Sequence, residues 1–213
     1  MATTGPGTII VLNGGASAGK TSIAKAIQRT FPDPYLHLGI DLFWLEVLPW
    51  EWAGAGTEIS PTIPIEGASP PKSAVALRPF GRFAVSGLHR AIGALAGMGH
   101  NVVVDQVFYD AGFVTEILTL WASLPVWLVG VSCPLETVLR RAAARPDRES
   151  SWYLPVATWM FDEAHRHTRG IYDLEVDTAR STPAECALQI KQALEERRSP
   201  AACKQLAALI QGS

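Results

Sequence analysis

The stretch Thr8-Ile-Ile-Val-Leu-Asn-Gly-Gly-Ala-Ser-Ala-Gly-Lys-Thr21 decides the fold. Its first part, residues 8–13, is a continuous apolar run rich in β-branched side chains, which is typical of a strand buried on both faces of a parallel sheet. Residues 14–21 match the pattern G-x-x-x-x-G-K-[ST] in full, and a helical pattern over 21–31 follows and stops at Pro32. A strand before this motif and a helix after it are the context in which it binds phosphate.

The predicted phosphate-binding loop, or P-loop, consists of Gly14, Gly15, Ala16, Ser17, Ala18, Gly19, Lys20 and Thr21. In such a loop the backbone N–H groups turn inward around phosphate oxygens, and the N-terminus of the following helix adds positive potential. We expect Lys20 to reach the β- and γ-phosphates of a nucleotide and the Thr21 hydroxyl to bind Mg²⁺. A purely structural glycine-rich turn is the alternative, and the flanking strand and helix make it the weaker interpretation.

Short apolar runs alternate with helical patterns along the rest of the chain. Predicted strands cover residues 35–41, 101–105, 126–133 and 174–177, and predicted helices cover 79–98, 113–123, 155–167 and 183–197. With the first strand they indicate an α/β fold, a mainly parallel sheet in one domain, residues 1–213. We place Pro155 in the first turn of its helix, where proline is favoured. Residues 49–75, rich in proline and glycine, predict an irregular insertion or a hairpin, and 199–213 a short tail.

Composition limits the class of protein. The chain has 213 residues, 48% of them hydrophobic, which excludes a disordered chain. Its net charge of −2 argues against nucleic acid as a partner, because nucleic-acid-binding domains usually carry a basic surface. Three widely spaced cysteines form neither a disulfide framework nor a CxxC metal site, and no apolar run is long enough to span a membrane. We therefore expect a soluble cytoplasmic protein that binds neither nucleic acid nor membrane.

Three aspartates fall at the predicted ends of strands, the edge where ligands of open α/β sheets collect. Asp105 follows three valines and has the form of an acid that binds Mg²⁺, with a helix cap or turn as the alternative. Asp41 ends the second predicted strand beside aromatic residues. It could take the proton from an acceptor hydroxyl, and a helix cap is an equally good interpretation. Asp177 is a third candidate site residue and fits a solvated turn equally well.

Arginines cluster after the fourth predicted strand. Arg141, Arg145 and Arg148 recur at spacings of four and three residues, which places them on one face of a helix. With a P-loop upstream, they are candidates for an arginine lid, residues 140–152. Such a lid stabilises charge on a transferring phosphoryl group and excludes water. A solvated basic helix face is the alternative.

The acceptor side of the predicted site is poor in cations. Between residues 35 and 75 the sequence contains Lys72 and no arginine, whereas Trp44, Trp50 and Trp52 could line an aromatic pocket. An acceptor with a phosphate or carboxylate group would call for a basic pocket. The pattern therefore favours a neutral, aromatic acceptor.

Several of these segments resemble the chloramphenicol phosphotransferases. Val11-Leu-Asn-Gly-Gly-Ala-Ser-Ala-Gly-Lys-Thr21 resembles the P-loop of that family, which begins with the same Leu-Asn-Gly-Gly. The other similar segments are Gly39-Ile-Asp41 with Glu46 and Pro49, Asp105-Gln-Val-Phe108, the arginine segment with Asp147, and His167 with Tyr172-Asp-Leu-Glu-Val-Asp-Thr178. The similarity covers roughly residues 8–198 in order.

The resemblance implies a nucleotide-kinase-like P-loop fold with a parallel five-stranded sheet. It also implies ATP-dependent phosphorylation of a primary hydroxyl of chloramphenicol, a self-protection activity in antibiotic producers. On this basis Asp41 is the general base, Lys20 and the lid arginines stabilise phosphoryl charge, and the nucleotide base lies near Asp177 and Thr178. The chain departs from the family pattern at Gln106, which replaces a second aspartate, in the 49–75 and 108–112 segments, and in its extension over 199–213.

The leading hypothesis is a phosphotransferase that uses ATP and Mg²⁺ to phosphorylate a small molecule bearing a hydroxyl group, either chloramphenicol or a related antibiotic. A nucleoside or other small-metabolite kinase is a second hypothesis. A non-catalytic nucleotide-binding module is a third, although an NKxD guanine motif is absent from the sequence. A homo-oligomer is compatible with all three.

Overall fold

The protein is described by a computed structural model over residues 5–49, 61–147, 149–196 and 199–211. The strands are β1 Ile9–Asn13, β2 Tyr35–Gly39, β3 Thr62–Ile65, β4 Lys72–Val75, β5 Asn101–Gln106, β6 Val126–Ser132 and β7 Leu174–Asp177. The helices are α1 Lys20–Thr30, α2 Ile40–Val47, α3 Pro79–Gly97, α4 Ala111–Leu120, α5 Leu135–Ala143, α6 Ser150–Glu163, α7 Pro183–Glu196 and α8 Ala202–Gln211. Among the helices described, none combines the length and apolar character needed to cross a bilayer.

Five parallel strands form one sheet, which confirms the predicted α/β fold, and they lie in the order β2–β5–β1–β6–β7. β1 lies at the centre, where Ile10 is opposite Val103 on β5 and Trp127 on β6. Every residue of β1 is fully buried because helices cover both faces of the sheet, which explains its continuous apolar run.

The two faces of the sheet carry separate apolar layers. Ile23 of α1 and Ile190 of α7 pack with Val103 on one face, whereas Leu88 of α3 and Ile117 of α4 belong to the layer on the other. Successive residues of a strand point to opposite faces, so β5 contributes to both layers in turn. This alternation also decides which way the polar residues at the end of β5 point.

Residues 62–75 confirm the hairpin interpretation. β3 and β4 pair antiparallel outside the main sheet, and β4 packs against α6. Lys72 Nζ lies 2.5 Å from Asp162 Oδ2 and ties the hairpin to that helix. Residues 50–60, the remainder of this predicted insertion, lie outside the described part of the chain.

Helix α6 begins at Ser150, five residues before its predicted start, so the placement of Pro155 in the first turn is wrong. Pro155 lies inside the helix, where it cannot donate a hydrogen bond to the carbonyl of Ser151. Ser151 is exposed, so water can reach that carbonyl. The earlier start brings Trp152 and Tyr153 into the helix, with consequences for the site described below.

The predicted C-terminal tail is in part a helix, α8, which packs against β6 and α4. It buries Ala202 and Leu206 in the same apolar layer as α3. Asp173 holds its N-terminus, since Oδ1 accepts hydrogen bonds from the backbone N–H groups of Ala201 (2.7 Å) and Ala202 (3.0 Å). Asp173 Oδ2 accepts a third from Leu128 N, at 2.9 Å, and so links α8 to the sheet.

We expect Asp173→Ala to lower the free energy of unfolding by about 3 kcal/mol, because the variant leaves buried backbone donors without an acceptor. Urea unfolding followed by circular dichroism measures this change. Asp33→Ala, which removes an exposed aspartate from the loop after α1, serves as the control and should change stability by less than about 0.5 kcal/mol. Equal stability of the two variants would contradict the proposed role of Asp173.

Candidate active site

A cavity of about 440 Å³ opens at the carboxyl edge of the sheet, where ligands of open α/β sheets bind. The P-loop forms one side of it, with Lys20 and Thr21 in the wall. Residues just after β2 and at the end of β5 also line it, as do residues of α6, a helix that contacts the P-loop, since Tyr153 Oη lies 3.1 Å from Ser17 Oγ. The cavity therefore brings together most of the side chains that the sequence predicts for the site.

The P-loop turns into α1 at Gly19, whose φ of 104° lies in the left-handed region that favours glycine. Lys20 is only 7% exposed, and its Nζ donates hydrogen bonds to the carbonyls of Gly14 (3.0 Å) and Gly15 (2.9 Å). The same atom lies 3.8 Å from Asp105 Oδ1. The loop thus holds a buried ammonium group beside the carboxylate at the end of β5.

Thr21 and Asp105 meet at the start of α1, where Thr21 Oγ1 donates a short hydrogen bond to Asp105 Oδ2. A hydroxyl and a carboxylate oxygen side by side are hard donors that suit Mg²⁺, which usually takes its remaining ligands from phosphates and water. Within the described ranges, no group of three histidine, cysteine or acidic side chains converges on a common point. A magnesium ion here would therefore rely on these two residues and on the oxygens of its ligand.

His37 of β2, which the sequence pattern does not predict, lies beside Asp105 and is not among the residues that line the cavity. Its Nε2 lies 4.0 Å from Asp105 Oδ2 and has no hydrogen-bond partner among the described residues. Burial lowers the pKa of His37, although the Asp105 carboxylate opposes the shift, and the imidazole is neutral at pH 7. No sequence motif marks His37, because only the pairing of β2 with β5 brings it to Asp105.

Asp41 lies in the first turn of α2 rather than at the end of the second strand, so that part of its prediction is wrong. β2 ends at Gly39, and the helix that starts at Ile40 favours an acidic residue in its first turn. A Cβ at Gly39 would lie 2.5 Å from the carbonyl oxygen of Asp105, so glycine allows β2 and β5 to approach closely there. Asp41 is exposed and lines the cavity.

Tyr109 is a second residue that the sequence analysis misses, and it lies near Asp41. Burial raises the pKa of the Tyr109 hydroxyl, and the carboxylates of Asp41 and Asp110 raise it further. The phenol therefore keeps its proton at neutral pH and can donate a hydrogen bond in the cavity. Its ring packs against Phe113 and Trp159, at centroid distances of 5.4 and 5.6 Å, which fixes its position.

Two of the predicted lid arginines line the cavity. Arg141, in the last turn of α5, donates to the carbonyl oxygen of Thr178 (2.8 Å) and to Thr178 Oγ1 (3.0 Å). Arg145 makes a two-pronged ion pair with Asp147, at 3.0 and 2.7 Å, and its guanidinium carbon lies 5.7 Å from the centre of the Tyr153 ring. Arg148 lies outside the described residues, and the lid as a unit, residues 140–152, stays a prediction.

Asp177 is not among the residues that line the cavity, and its assignment to the nucleotide site stays a prediction. Its Oδ1 accepts a hydrogen bond from Ala179 N at 2.8 Å, and its Oδ2 lies 3.5 Å from Arg180 Nε, so the carboxylate belongs to the turn after β7. The neighbouring Thr178 lines the cavity instead. Successive side chains along an extended segment point in opposite directions, so Asp177 and the adjacent Thr178 have different surroundings.

The cavity also has apolar and aromatic lining residues, namely Ile40, Trp44, Val75, Tyr109, Trp152, Tyr153, Val156 and Met160. Trp44, predicted for an aromatic pocket, is 5% exposed and packs in the layer that contains α3. Trp50 and Trp52 fall outside the described ranges. The sequence does not predict Trp152 and Tyr153 as cavity residues, because the predicted start of α6 at Pro155 leaves both of them outside the helix.

Asn13, the last residue of β1, joins three parts of the site. Its Oδ1 accepts a hydrogen bond from Phe108 N (2.9 Å), and its Nδ2 donates to the carbonyl of Ala164 (2.6 Å) and to the hydroxyl of Tyr172 (2.8 Å). The side chain is fully buried. One amide thus connects the strand that leads into the P-loop, the segment after Asp105 and the end of α6.

The sequence between residues 7 and 195 matches the family model described as chloramphenicol phosphotransferase-like protein. The chain belongs to the chloramphenicol phosphotransferase-like family. This chain is 31% identical over 212 residues to a relative in two strains of Mycobacterium tuberculosis. That relative is provisionally named an O-phosphotransferase. That alignment covers 94% of this chain and 88% of the relative.

Solved structures, P-loop kinases among them, share the fold of this phosphotransferase-like chain. The Mycobacterium tuberculosis APS kinase CysC, solved with AMPPNP and APS, has a TM-score of 0.56 at 15% identity, over 90% of this chain and 99% of that one. The tunicamycin resistance protein of Deinococcus radiodurans has a TM-score of 0.54 at 16% identity, over 89% and 95% of the two chains. Family and fold together make the chain a phosphotransferase of the P-loop kinase type.

Proposed function

We propose that the protein transfers the γ-phosphoryl group of ATP to a hydroxyl of a small neutral molecule, which is chloramphenicol or a related antibiotic. One observation carries the proposal, namely a cavity whose cations gather on the phosphate side. Lys20, Arg141 and Arg145 are the lysine and arginine side chains among its described lining residues. The lining also contains apolar side chains, those of Ile40, Trp44, Val75, Trp152, Val156 and Met160. Residues 50–60, outside the described part, contain no lysine or arginine.

In the proposed reaction, Asp41 accepts the proton of the acceptor hydroxyl as the oxygen attacks the γ-phosphorus. A new O–P bond forms, the bond between the γ-phosphorus and the β,γ-bridging oxygen breaks, and ADP leaves with that oxygen. The exposed carboxylate of Asp41 at the start of α2 is within the same cavity as the P-loop. Tyr109 supports it as a hydrogen-bond donor whose phenol remains protonated.

Charge on the transferring group is stabilised by residues that the chain already holds in place. Lys20 is oriented by the carbonyls of Gly14 and Gly15, and Arg145 by Asp147. Thr21 and Asp105 would hold Mg²⁺, which, when bound, neutralises negative charge on the phosphate oxygens. Preorganised charges of this kind account for much of the catalysis of phosphoryl transfer.

A reducing compartment suits the proposal. Cys133, Cys186 and Cys203 are free, and burial raises the pKa of Cys203 to about 12. Thiols that stay protonated resist oxidation. The proposal includes the cytoplasm as the compartment and a small molecule rather than nucleic acid as the acceptor.

Mass spectrometry of chloramphenicol after incubation with the protein, ATP and Mg²⁺ tests the proposal. The wild-type protein should add one phosphoryl group, and chelation of Mg²⁺ with EDTA should abolish the addition. A panel of hydroxylated antibiotics and nucleosides belongs in the same assay. Transfer to a nucleoside alone would replace the antibiotic with a nucleoside as the acceptor, and transfer to no alcohol would contradict the proposed function.

A further inference from the structure

Tyr153, in the first turn of α6, contacts two separate segments that line the cavity. Its hydroxyl lies 3.1 Å from the hydroxyl of Ser17 in the P-loop, and the two groups share a hydrogen bond. The guanidinium carbon of Arg145 lies over the ring of Tyr153, 5.7 Å from the ring centre. All three residues line the cavity. One side chain of α6 thus joins the P-loop to an arginine of the segment after α5.

The backbone of Ser17 explains why this part of the P-loop needs a contact from another element. Its φ of 58° lies in the left-handed region, which non-glycine residues seldom occupy unless the surrounding structure holds them there. Glycine adopts this conformation more easily, but it has no side chain that could bind a hydroxyl. The serine allows Tyr153 to hold the loop, whose backbone N–H groups bind phosphate.

Arg145 is held by two partners of different character. Asp147 accepts two hydrogen bonds from its guanidinium group, at 3.0 and 2.7 Å, but the Asp147 side chain is 52% exposed. An exposed ion pair contributes little by itself, because solvent screens it. The ring of Tyr153 is the second partner, and an aromatic face attracts a cation that lies within about 6 Å of its centre. Ion pair and ring together define where the guanidinium lies.

The position of Tyr153 is set by the core. The residue is 7% exposed and belongs to the apolar layer that contains α1 and α7, and its ring meets that of Trp152 at a centroid distance of 5.5 Å. Its backbone N–H donates to the carbonyl of Glu149, at 3.1 Å, in the first turn of α6. Ser17 and Arg145, in contrast, lie outside the helices and strands. The contacts therefore hold two irregular segments against a buried residue of a helix.

We propose that Tyr153 is a positioning residue with two separable roles. Its hydroxyl holds the P-loop at Ser17 in the conformation that binds the nucleotide, and its ring holds Arg145 beside the phosphoryl group that is transferred. The inference rests on the proposed function and extends it to a residue that takes no part in proton or phosphoryl transfer. The hydroxyl should therefore affect the affinity for ATP, and the ring should affect the rate of transfer.

Tyr153→Phe tests the hydroxyl, because it keeps the ring. The variant should bind ATP about three- to tenfold more weakly, since one hydrogen bond contributes about this factor and the P-loop then occupies its binding conformation for less of the time. At saturating ATP, kcat should stay within about twofold of wild type. Titration with a fluorescent ATP analogue and steady-state kinetics supply the two values. An unchanged affinity for ATP would overturn the role of the hydroxyl.

Ser17→Ala identifies the partner of that hydroxyl, because it removes the other half of the same hydrogen bond. Its affinity for ATP should match that of Tyr153→Phe within about twofold. The double variant should bind ATP no more weakly than either single variant, since changes that remove one shared interaction are not additive. Losses that multiply in the double variant would overturn the link between the two residues.

Tyr35→Phe is the matched control. Tyr35 is a buried tyrosine of the same apolar layer and does not line the cavity. Its variant should keep the wild-type affinity for ATP. Urea unfolding of both tyrosine variants completes the comparison, because a purely structural hydroxyl would lower stability without lowering the affinity for ATP. A loss of affinity in Tyr35→Phe as large as in Tyr153→Phe would overturn the inference.

Tyr153→Leu tests the ring, because it removes the aromatic face as well as the hydroxyl. Its kcat should be about three- to tenfold lower than that of Tyr153→Phe, since the guanidinium loses its second partner. Its affinity for ATP should stay within about twofold of the phenylalanine variant. Equal kcat values in the two variants would overturn the role of the ring.

Binding measurements separate this inference from the proposed function. If no alcohol is phosphorylated, the proposed function fails, while the affinity for ATP still tests the hydroxyl of Tyr153. Binding of ADP with aluminium fluoride, which imitates the transferring phosphoryl group, then replaces kcat as the test of the ring. Tyr153→Leu should bind this mimic about three- to tenfold more weakly than Tyr153→Phe does, and equal binding would overturn the role of the ring.

Discussion

A Lys20→Met variant should transfer phosphate about 10²–10³-fold more slowly than the wild-type protein and should lose most of its affinity for ATP. The methionine keeps the buried stem of the side chain and removes the ammonium group that the P-loop carbonyls orient. It also removes the cation 3.8 Å from Asp105. The interaction acts on both the bound nucleotide and the transition state, so binding and turnover should fall together.

Lys25→Met provides the matched control for this prediction. Lys25 lies five residues further along α1, is exposed and does not line the cavity, so the same change of charge should alter kcat and ATP affinity by less than about twofold. Single-turnover kinetics with acceptor, and a fluorescent ATP analogue for binding, supply the two readouts. A Lys20→Met protein that binds ATP as well as wild type would show that the loop amides alone hold the phosphates.

The second large effect is expected at Asp41, where Asn should lower kcat about 10²–10⁴-fold with ATP affinity within about twofold of wild type. An amide cannot accept the proton of the acceptor hydroxyl, whereas we expect the nucleotide to be held by the P-loop and not by Asp41. This split between turnover and binding distinguishes a general base from a residue that only maintains the fold. It also distinguishes the Asp41 variant from the Lys20 variant.

Glu46→Gln is the control for Asp41→Asn, since it removes the same charge from an exposed position of α2 that does not line the cavity. It should retain full activity. The measurement is the rate of phosphorylated product formation at saturating ATP, together with ATP binding. Parallel losses of ATP affinity and kcat in the Asp41 variant would instead make this residue structural.

Local patterns made the centre of the fold predictable. The apolar run of β1 and the P-loop lie within the same 14 residues of sequence, so each supports the interpretation of the other. β1 is the central strand of the sheet, and the P-loop is part of the site. Asp105 could be placed for the same reason, because it directly follows a valine run at the end of a strand. From the residues alone, Asp41 could equally well be a proton acceptor or a helix cap. The family resemblance favoured the proton acceptor.

Contacts between distant segments could not be predicted in this way. His37 meets Asp105 through the pairing of β2 with β5, and Gln106 meets His89 because β5 turns alternate residues toward α3. Neither contact can be predicted from the residues that surround it in the sequence. The start of α6 was misjudged because proline is favoured in first turns, while tertiary packing tolerates Pro155 inside this helix.

The side-chain amide of Asn13 has a thermodynamic consequence for the whole site. It ties the strand before the P-loop to the segment after Asp105 and to the end of α6, with no ligand in the contact. Ordering reacting groups costs entropy, and here part of that entropy is lost when the chain folds rather than when the substrates bind. The relative position of these three segments is therefore set when the core forms, before any substrate binds.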